Sequence, residues 1–258
     1  MSSDAVNVSL KDRIAQIEIN RPEKKNALSL AMYVALADAF ERADEDPAVR
    51  VVLIQGQPNV FTSGNDLKDF MQFNADEPFE SGAIYRFLCA ISGASKPVVA
   101  AVNGAAIGIG VTLLLHCDLV YAGESAVLQL PFVNLGLCPE AASSYLLPRL
   151  VGYQRAAELL LFGEAFSARY ARELGLVNEV LRDDEVQARA LTRARELAAQ
   201  PPSSLRITKR LLKQGQATDV LRVMSEEGSH FRARLSSAEA KEAFAAFMGK
   251  RKPDFSRF

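Results

Sequence analysis

KPVVAAVNGAAIGIGVTLLLHCD, residues 96–118, is the stretch on which the reading of this chain turns. The run 97–102 is apolar and β-branched, which suits a strand buried on both faces, and 112–117 is apolar enough for a core helix. Between them stand Gly104, Gly108 and Gly110. Glycines at such a corner let the backbone turn sharply and approach a ligand closely. The first turn of the helix beyond presents unpaired N–H groups with the positive end of the helix dipole behind them. The corner suits a developing negative charge and reads as half of an oxyanion hole. A dinucleotide fingerprint, GxGxxG after a strand, begins with Gly108 and Gly110 but meets Leu113 where the third glycine belongs. No GxxxxGK[ST] phosphate loop occurs anywhere. A packed strand-to-helix turn with no ligand also fits this stretch taken alone.

Outside this stretch the chain has the composition of an ordinary globular protein, with 258 residues, 24% charged and 49% hydrophobic, enough for a sizeable core and one or two domains. A net charge of -1 with acids and bases interspersed leaves no electrostatic footprint for nucleic acid or an anionic membrane. The N-terminal residues lack the basic start and apolar run of a secretory signal, and no stretch has the roughly 18 uninterrupted apolar residues of a spanning helix. The last residues, Phe255 to Phe258, are not an SKL-type peroxisomal address, so a cytoplasmic location is the expectation. Cys89, Cys117 and Cys138 show no CxxC spacing, and only His116 and His230 could join them, which speaks against a zinc site or a disulfide framework.

Taken in order, the pattern predicts a hairpin over 6–20, where Val6, Val8 and Leu10 alternate and Ala15, Ile17 and Ile19 alternate again. A polar loop carries Arg21, Pro22, Lys24, Lys25 and Asn26, and Ser29 caps a helix to about 43. A buried strand at 50–54 is followed by a loop over 61–67 that leads into a helix. The polar run 72–82 reads as a loop and 83–91 as a helix. Short strands are expected at 118–121 and 126–130, then a loop over 131–140, with Ala141 opening a helix. Helices at 153–162 and 167–175 and a strand at 176–181 complete the alternating part. From Asp183 onward the texture is helical, with helices near 184–199, 203–215, 217–235 and 238–248. Ser236 and Glu239 form a capping box for the last. This basic, amphipathic tail covers the core or forms an oligomer contact.

No GxSxG is present and neither histidine has an obvious Ser or Cys partner, so a nucleophilic triad is poorly supported. His116, among Leu113, Leu114, Leu115 and Cys117, reads as a core histidine. Glu140 stands just before a helix rich in small residues, amid mostly apolar neighbours. Position alone leaves it either a partner for that helix start or a general base.

FTSGNDLK at 61–68, the run from Asn103 and Gly104 to Cys117 and Asp118, and the run from Pro131 and Phe132 through Leu135 and Gly136 to Pro139 and Glu140 together resemble the crotonase superfamily of acyl-CoA enzymes. Arg21 and Pro22 with Asn26, Ala27 and Leu28 agree with the same family, as does KRKP at 250–253. The resemblance implies an α/β fold, a crotonase-like spiral of ββα units over 1–199 that binds acyl-CoA. It also implies a C-terminal helical trimerisation segment over 200–258, giving a homotrimer or hexamer.

It further implies two backbone N–H donors for a thioester oxygen, which by position belong to Asn65 and Ile109. Hydratases of the family use two glutamates, and their positions here fall on Thr112 and Phe132, neither of which can act as a carboxylate. Glu140 instead matches the single catalytic glutamate of the family's 3-enoyl-CoA to 2-enoyl-CoA isomerases, and the surrounding sequence is most similar to their peroxisomal-type branch. The substrate is then expected to lie against Lys24, Ser63, Gly64, Asn65, Asp66, Leu67, Lys68, Gly108, Ile109, Phe132 and Leu137. Lys24 and Lys25 are placed to reach the phosphates of coenzyme A, and Phe70, Phe132 and Leu137 to meet the acyl chain. No metal or cofactor is implied, coenzyme A being part of the substrate. Hydration, thioester hydrolysis and a non-catalytic acyl-CoA-binding scaffold are the competing readings.

Overall fold

The computed structural model describes residues 5–66, 69 and 78–258. Two sheets run through it. The larger has six strands in the order β1 (Val6–Lys11), β2 (Ile14–Ile19), β3 (Val51–Gln55), β5 (Val98–Val102), β7 (Leu119–Gly123) and β10 (Glu179–Leu181). The smaller has four, β4 (Val60–Thr62), β6 (Ala105–Ile107), β8 (Val127–Gln129) and β9 (Ala165–Ser167). From β3 to β8 successive strands alternate between the sheets, so each turn of the chain adds one strand to each, and this is the expected spiral. Among the described strands, only the edge pairs β1–β2 and β8–β9 are antiparallel.

The central strands β3, β5 and β7 of the large sheet are apolar at nearly every position because both faces are covered, whereas the edge strand β1 alternates and is mostly exposed. Val52, Ile54, Val98, Ala100, Val102, Val120 and Ala122 face the main core. The alternate residues Val51, Leu53, Val99, Ala101 and Tyr121 pack under helix Val186–Ala198 through its Val186, Ala190, Ala194 and Ala198. The helices whose bounds lie among the described residues are, in chain order, α1 (Leu30–Glu45), α2 (Ala83–Gly93), α3 (Ile109–Thr112), α4 (Ser143–Val151), α5 (Tyr153–Phe162), α6 (Ala168–Glu173), α7 (the Val186–Ala198 helix), α8 (Pro202–Gln214), α9 (Ala217–Leu235) and α10 (Ala238–Met248). Among the described residues no helix is long and apolar enough to cross a membrane.

Several local expectations need correction. Phe61 and Thr62 lie in β4, and Ala105 to Ile107 form β6 between the glycines, where only a turn was foreseen. These strands and β9 have three residues each and lie outside any longer apolar run, whereas the equally short β8 and β10 fall within the strands expected at 126–130 and 176–181. The apolar run 112–117, expected as a core helix, is instead a 3-10 turn at Leu113–His116 that continues from the single α turn α3. The strand expected at 176–181 is confined to Glu179–Leu181. Helix α10 is capped by Ser237, whose hydroxyl accepts from the Ala240 amide, and Ser236 instead ends α9, so the Ser236–Glu239 box does not form. Ala141 does not open a helix either. It and Ala142 both hold left-handed backbone, φ 60° and 57°, and α4 begins at Ser143.

Candidate active site

Strands β4 and β6 are parallel neighbours, pairing Val60 with Ala105 and Thr62 with Ala106, and both end at a glycine turn on the same side of the sheet. The turns are packed backbone against backbone. A Cβ on Gly64 would meet the Ile107 carbonyl oxygen at 3.0 Å, and one on Gly110 would lie 2.7 Å from Thr62 Cγ2. Carboxyl ends of parallel strands are where open α/β folds leave room for a ligand.

At the first turn, Leu28 forms a parallel bridge to Asn65. Its amide donates to Gly64 O at 2.8 Å and its carbonyl accepts from Asp66 N at 2.9 Å. A residue bridged this way through its flanking peptides has its own N–H and C=O aimed away from the partner strand. At the second turn Gly108, φ 57° and ψ -114°, reverses the chain into α3 and leaves Ile109 as its first residue, fully buried. Among the described residues neither the Asn65 amide nor the Ile109 amide has an acceptor.

The polar loop after β2 fastens the first turn. Asn26 is buried, and its side-chain amide donates to the carbonyls of Ile19, Val60 and Phe61 while its Oδ1 accepts from Arg21 N. Arg21 ion-pairs with Asp66 at 2.8 Å. The motif residues near the N-terminus therefore act by holding the loop that carries Asn65. From α1, the Tyr33 hydroxyl donates to Asn65 Oδ1 in a short hydrogen bond. Burial, then the Glu140 charge, raises the Tyr33 pKa well above its usual value. Lys24 is exposed in the 3-10 turn Pro22–Lys24, and the next residue's carbonyl accepts from Ser63 N at 3.0 Å. Leu67, Lys68 and Phe70 lie outside the described residues.

Glu140 is 5% exposed and its Oε1 is buried without a hydrogen-bond partner, as are Thr112 Oγ1 and Ser143 Oγ. Burial, followed by the nearby Glu227 charge, pushes the Glu140 pKa up to about 8, while the Thr112 hydroxyl beside it works the other way without a hydrogen bond of ordinary geometry. Thr112, whose hydroxyl acts on the carboxyl, ends the single turn that Ile109 begins, and Tyr33, which feels the Glu140 charge, holds the Asn65 side chain.

The choice between helix partner and free acid is decided by a residue the sequence did not single out. Glu227, from α9, accepts from Ala142 N at 2.6 Å and Ser144 N at 2.8 Å, so it takes the amides at the start of α4 and Glu140 takes none. On the other side of the corner His116 Nε2 donates to Ala141 O at 2.8 Å. Phe132 is buried, with its ring 4.0 Å from where a Gly108 Cβ would stand and edge-to-face on Phe231 of α9. Leu137 is buried too, its amide donating to Phe132 O. Thus α9 forms one wall of the site and is more than a cover or an oligomer contact.

The sequence profile described as enoyl-CoA hydratase/isomerase matches residues 9–257. A rat protein named enoyl-CoA delta isomerase 2 is 38% identical over 97% of this chain, which spans 65% of that protein's length. A 2,3-dehydroadipyl-CoA hydratase of Escherichia coli K12 is 33% identical over 96% of this chain and 97% of its own. The crystal structure of an enoyl-CoA hydratase/isomerase from Pseudoalteromonas atlantica T6c superposes with a TM-score of 0.92 at 45% identity, covering 98% of this chain and 100% of that one.

Proposed function

The chain belongs to the enoyl-CoA hydratase/isomerase family, and we propose that within it the protein is a 3-enoyl-CoA to 2-enoyl-CoA isomerase with Glu140 as its single acid–base group. The observation that carries this reading is a buried, unpartnered carboxyl beside two turns whose amides lack acceptors. A CoA thioester binds with its carbonyl oxygen toward the N–H groups of Asn65 and Ile109. Ionised Glu140 removes a proton from C2, and the negative charge spreads onto the thioester oxygen as a dienolate. The two amides stabilise that oxygen, a contribution on the order of 10²- to 10³-fold for each donor in other such holes. The protonated carboxyl then delivers the same proton to C4, so the double bond moves from C3 to C2 with no net gain or loss of atoms.

A buried carboxyl with its pKa near neutrality is suited to both halves of this cycle, because it must take a proton and give it back. Hydration, the chemistry named for the E. coli relative, needs a second group to handle water. The two positions for it hold Thr112 and Phe132, and Glu227 is committed to two backbone amides. The C-terminal segment supports assembly into a trimer or hexamer in this reading, since Leu211 and Leu212 of α8 and Phe247 and Met248 of α10 are exposed apolar side chains.

The test is turnover of 3-hexenoyl-CoA by the wild type and by Glu140→Gln, followed through the absorbance of the conjugated 2-enoyl thioester, with hydration of a 2-enoyl-CoA run alongside. Isomerisation lost in the variant, with little hydration in either protein, is the expected outcome. Robust hydration, or isomerisation indifferent to the substitution, would replace it with the hydratase reading or another base. Tight binding of the ester with no turnover would favour a scaffold.

A further inference from the structure

We propose that Glu227 is a positioning residue for Glu140: by accepting from the amides of Ala142 and Ser144 it holds the left-handed corner at Ala141 and Ala142 that keeps the Glu140 carboxyl off the helix start and free in the site. This rests on the role given to Glu140 above.

Two consecutive non-glycine residues in left-handed backbone are strained and persist only where the surroundings over-determine them. Here the surroundings are specific. Glu227 binds the amides on one side of the corner with both carboxylate oxygens, and His116 binds the Ala141 carbonyl on the other. The helix carrying Glu227 is itself seated closely. The ring of Phe79 occupies the space where a Gly228 side chain would be, and Phe231, one turn on, packs on Phe132. A carboxylate from a distant helix thus does what an N-cap side chain does locally, and it releases the acid next to the helix from that duty.

The same arrangement places a second buried acid near the first. The groups that bear on Glu140 are Tyr33 from α1, Thr112 from α3, Cys138 on its own loop and Glu227 from α9; burial raises the pKa of Glu227 against the pull of its Ser144 and Ala142 hydrogen bonds, and its charge, where present, opposes that of Glu140. His116 stays uncharged beside Ala141. Glu227 therefore acts on Glu140 both by holding its backbone and by opposing its ionisation.

The experiment compares Glu227→Gln and Glu227→Asp with the wild type in kcat, KM and the pH profile of kcat/KM for 3-hexenoyl-CoA, with thermal melts on each protein. In Glu227→Gln the amide keeps the length but loses one acceptor and the charge. Its kcat should fall by about 10- to 100-fold, the scale of a small misplacement of a reacting group, with KM moved far less, and the ascending limb should shift to lower pH. Glu227→Asp, which keeps the charge, should recover part of kcat and hold the limb near that of the wild type. Wild-type kcat and limb in a folded Glu227→Gln protein would overturn the proposal, as would a loss that tracks melting temperature alone with the limb unmoved. If Glu227→Gln does not fold, Glu227→Asp decides: wild-type kcat there overturns it, and a reduced kcat at an unmoved limb and unchanged KM supports it. Should the wild type turn over no 3-enoyl-CoA, the functional reading fails separately. The coupling is then read from the titration of the Glu140 carboxyl by infrared difference against Glu140→Gln, whose midpoint must fall when Glu227 becomes Gln.

Discussion

His116 and Ala141 meet through a 2.8 Å hydrogen bond from the ring Nε2 to the backbone carbonyl, one residue beyond Glu140. The donor must be the Nε2–H tautomer, because a carbonyl only accepts. Burial, aided by Lys213 and Lys209, lowers the His116 pKa to about 4 against the pull of that carbonyl. A histidine with a depressed native value contributes stability that is present above its unfolded pKa, about 6.5, and is lost as pH falls toward the folded value. Stability is therefore expected to decline between about pH 6.5 and 4 by on the order of 3 kcal/mol. Urea midpoints across that range should show the decline in the wild type and lack its histidine-linked part in His116→Gln.

Glu140 carries the opposite sign. Its native pKa of about 8 lies above the ordinary 4.5, so the folded protein binds that proton more tightly than the unfolded chain. The associated stability is complete below about pH 4.5 and is lost as pH rises through 8. Glu140→Gln, which cannot ionise, should gain on the wild type by roughly 3–5 kcal/mol between pH 5 and 9 in the same urea titrations. In turnover, kcat/KM for 3-hexenoyl-CoA should climb with pH to a plateau, with its midpoint near 8, since the free enzyme must present the carboxylate. A flat profile across pH 6 to 9 would remove Glu140 as the base.

Gly108 shows how a backbone angle can be tested as a catalytic element. Its φ of 57° and ψ of -114° lie where side-chain-bearing residues rarely go, yet a Cβ there would meet nothing closer than Phe132 Cε1 at 4.0 Å. The cost of Gly108→Ala is thus conformational rather than steric, about 1–3 kcal/mol. The chain will relieve it by rotating the peptide that carries the Ile109 amide. A loss in kcat of about 10²- to 10³-fold, with melting lowered only modestly, is expected if that amide serves the enolate. Steady-state kinetics beside a thermal melt distinguish this from simple unfolding.

Local chemistry made much of this legible in advance. The apolar run of β5, the glycines at 104, 108 and 110, and the Ser29 cap of α1 each act over a few residues, so periodicity and conformational preference suffice to find them. The three-residue strands β4, β6 and β9 were invisible for the complementary reason. They exist because neighbours in the spiral complete their ladders, and nothing within three residues states that.

The site divides in the same way. Sequence by itself determined which groups are available: two glycine turns able to expose amides, an acid at 140, and Thr112 and Phe132 at positions where the family resemblance implies the glutamates of a hydratase. Whether Glu140 caps a helix or stands free was decided only in three dimensions. Glu227, on a helix far along the chain, occupies the amides of Ala142 and Ser144, and His116 secures the carbonyl of Ala141 just before them. A carboxyl's hydrogen-bond partners and its desolvation depend on what surrounds it in space, and that surrounding is assembled from α1, α3 and α9 when the chain folds.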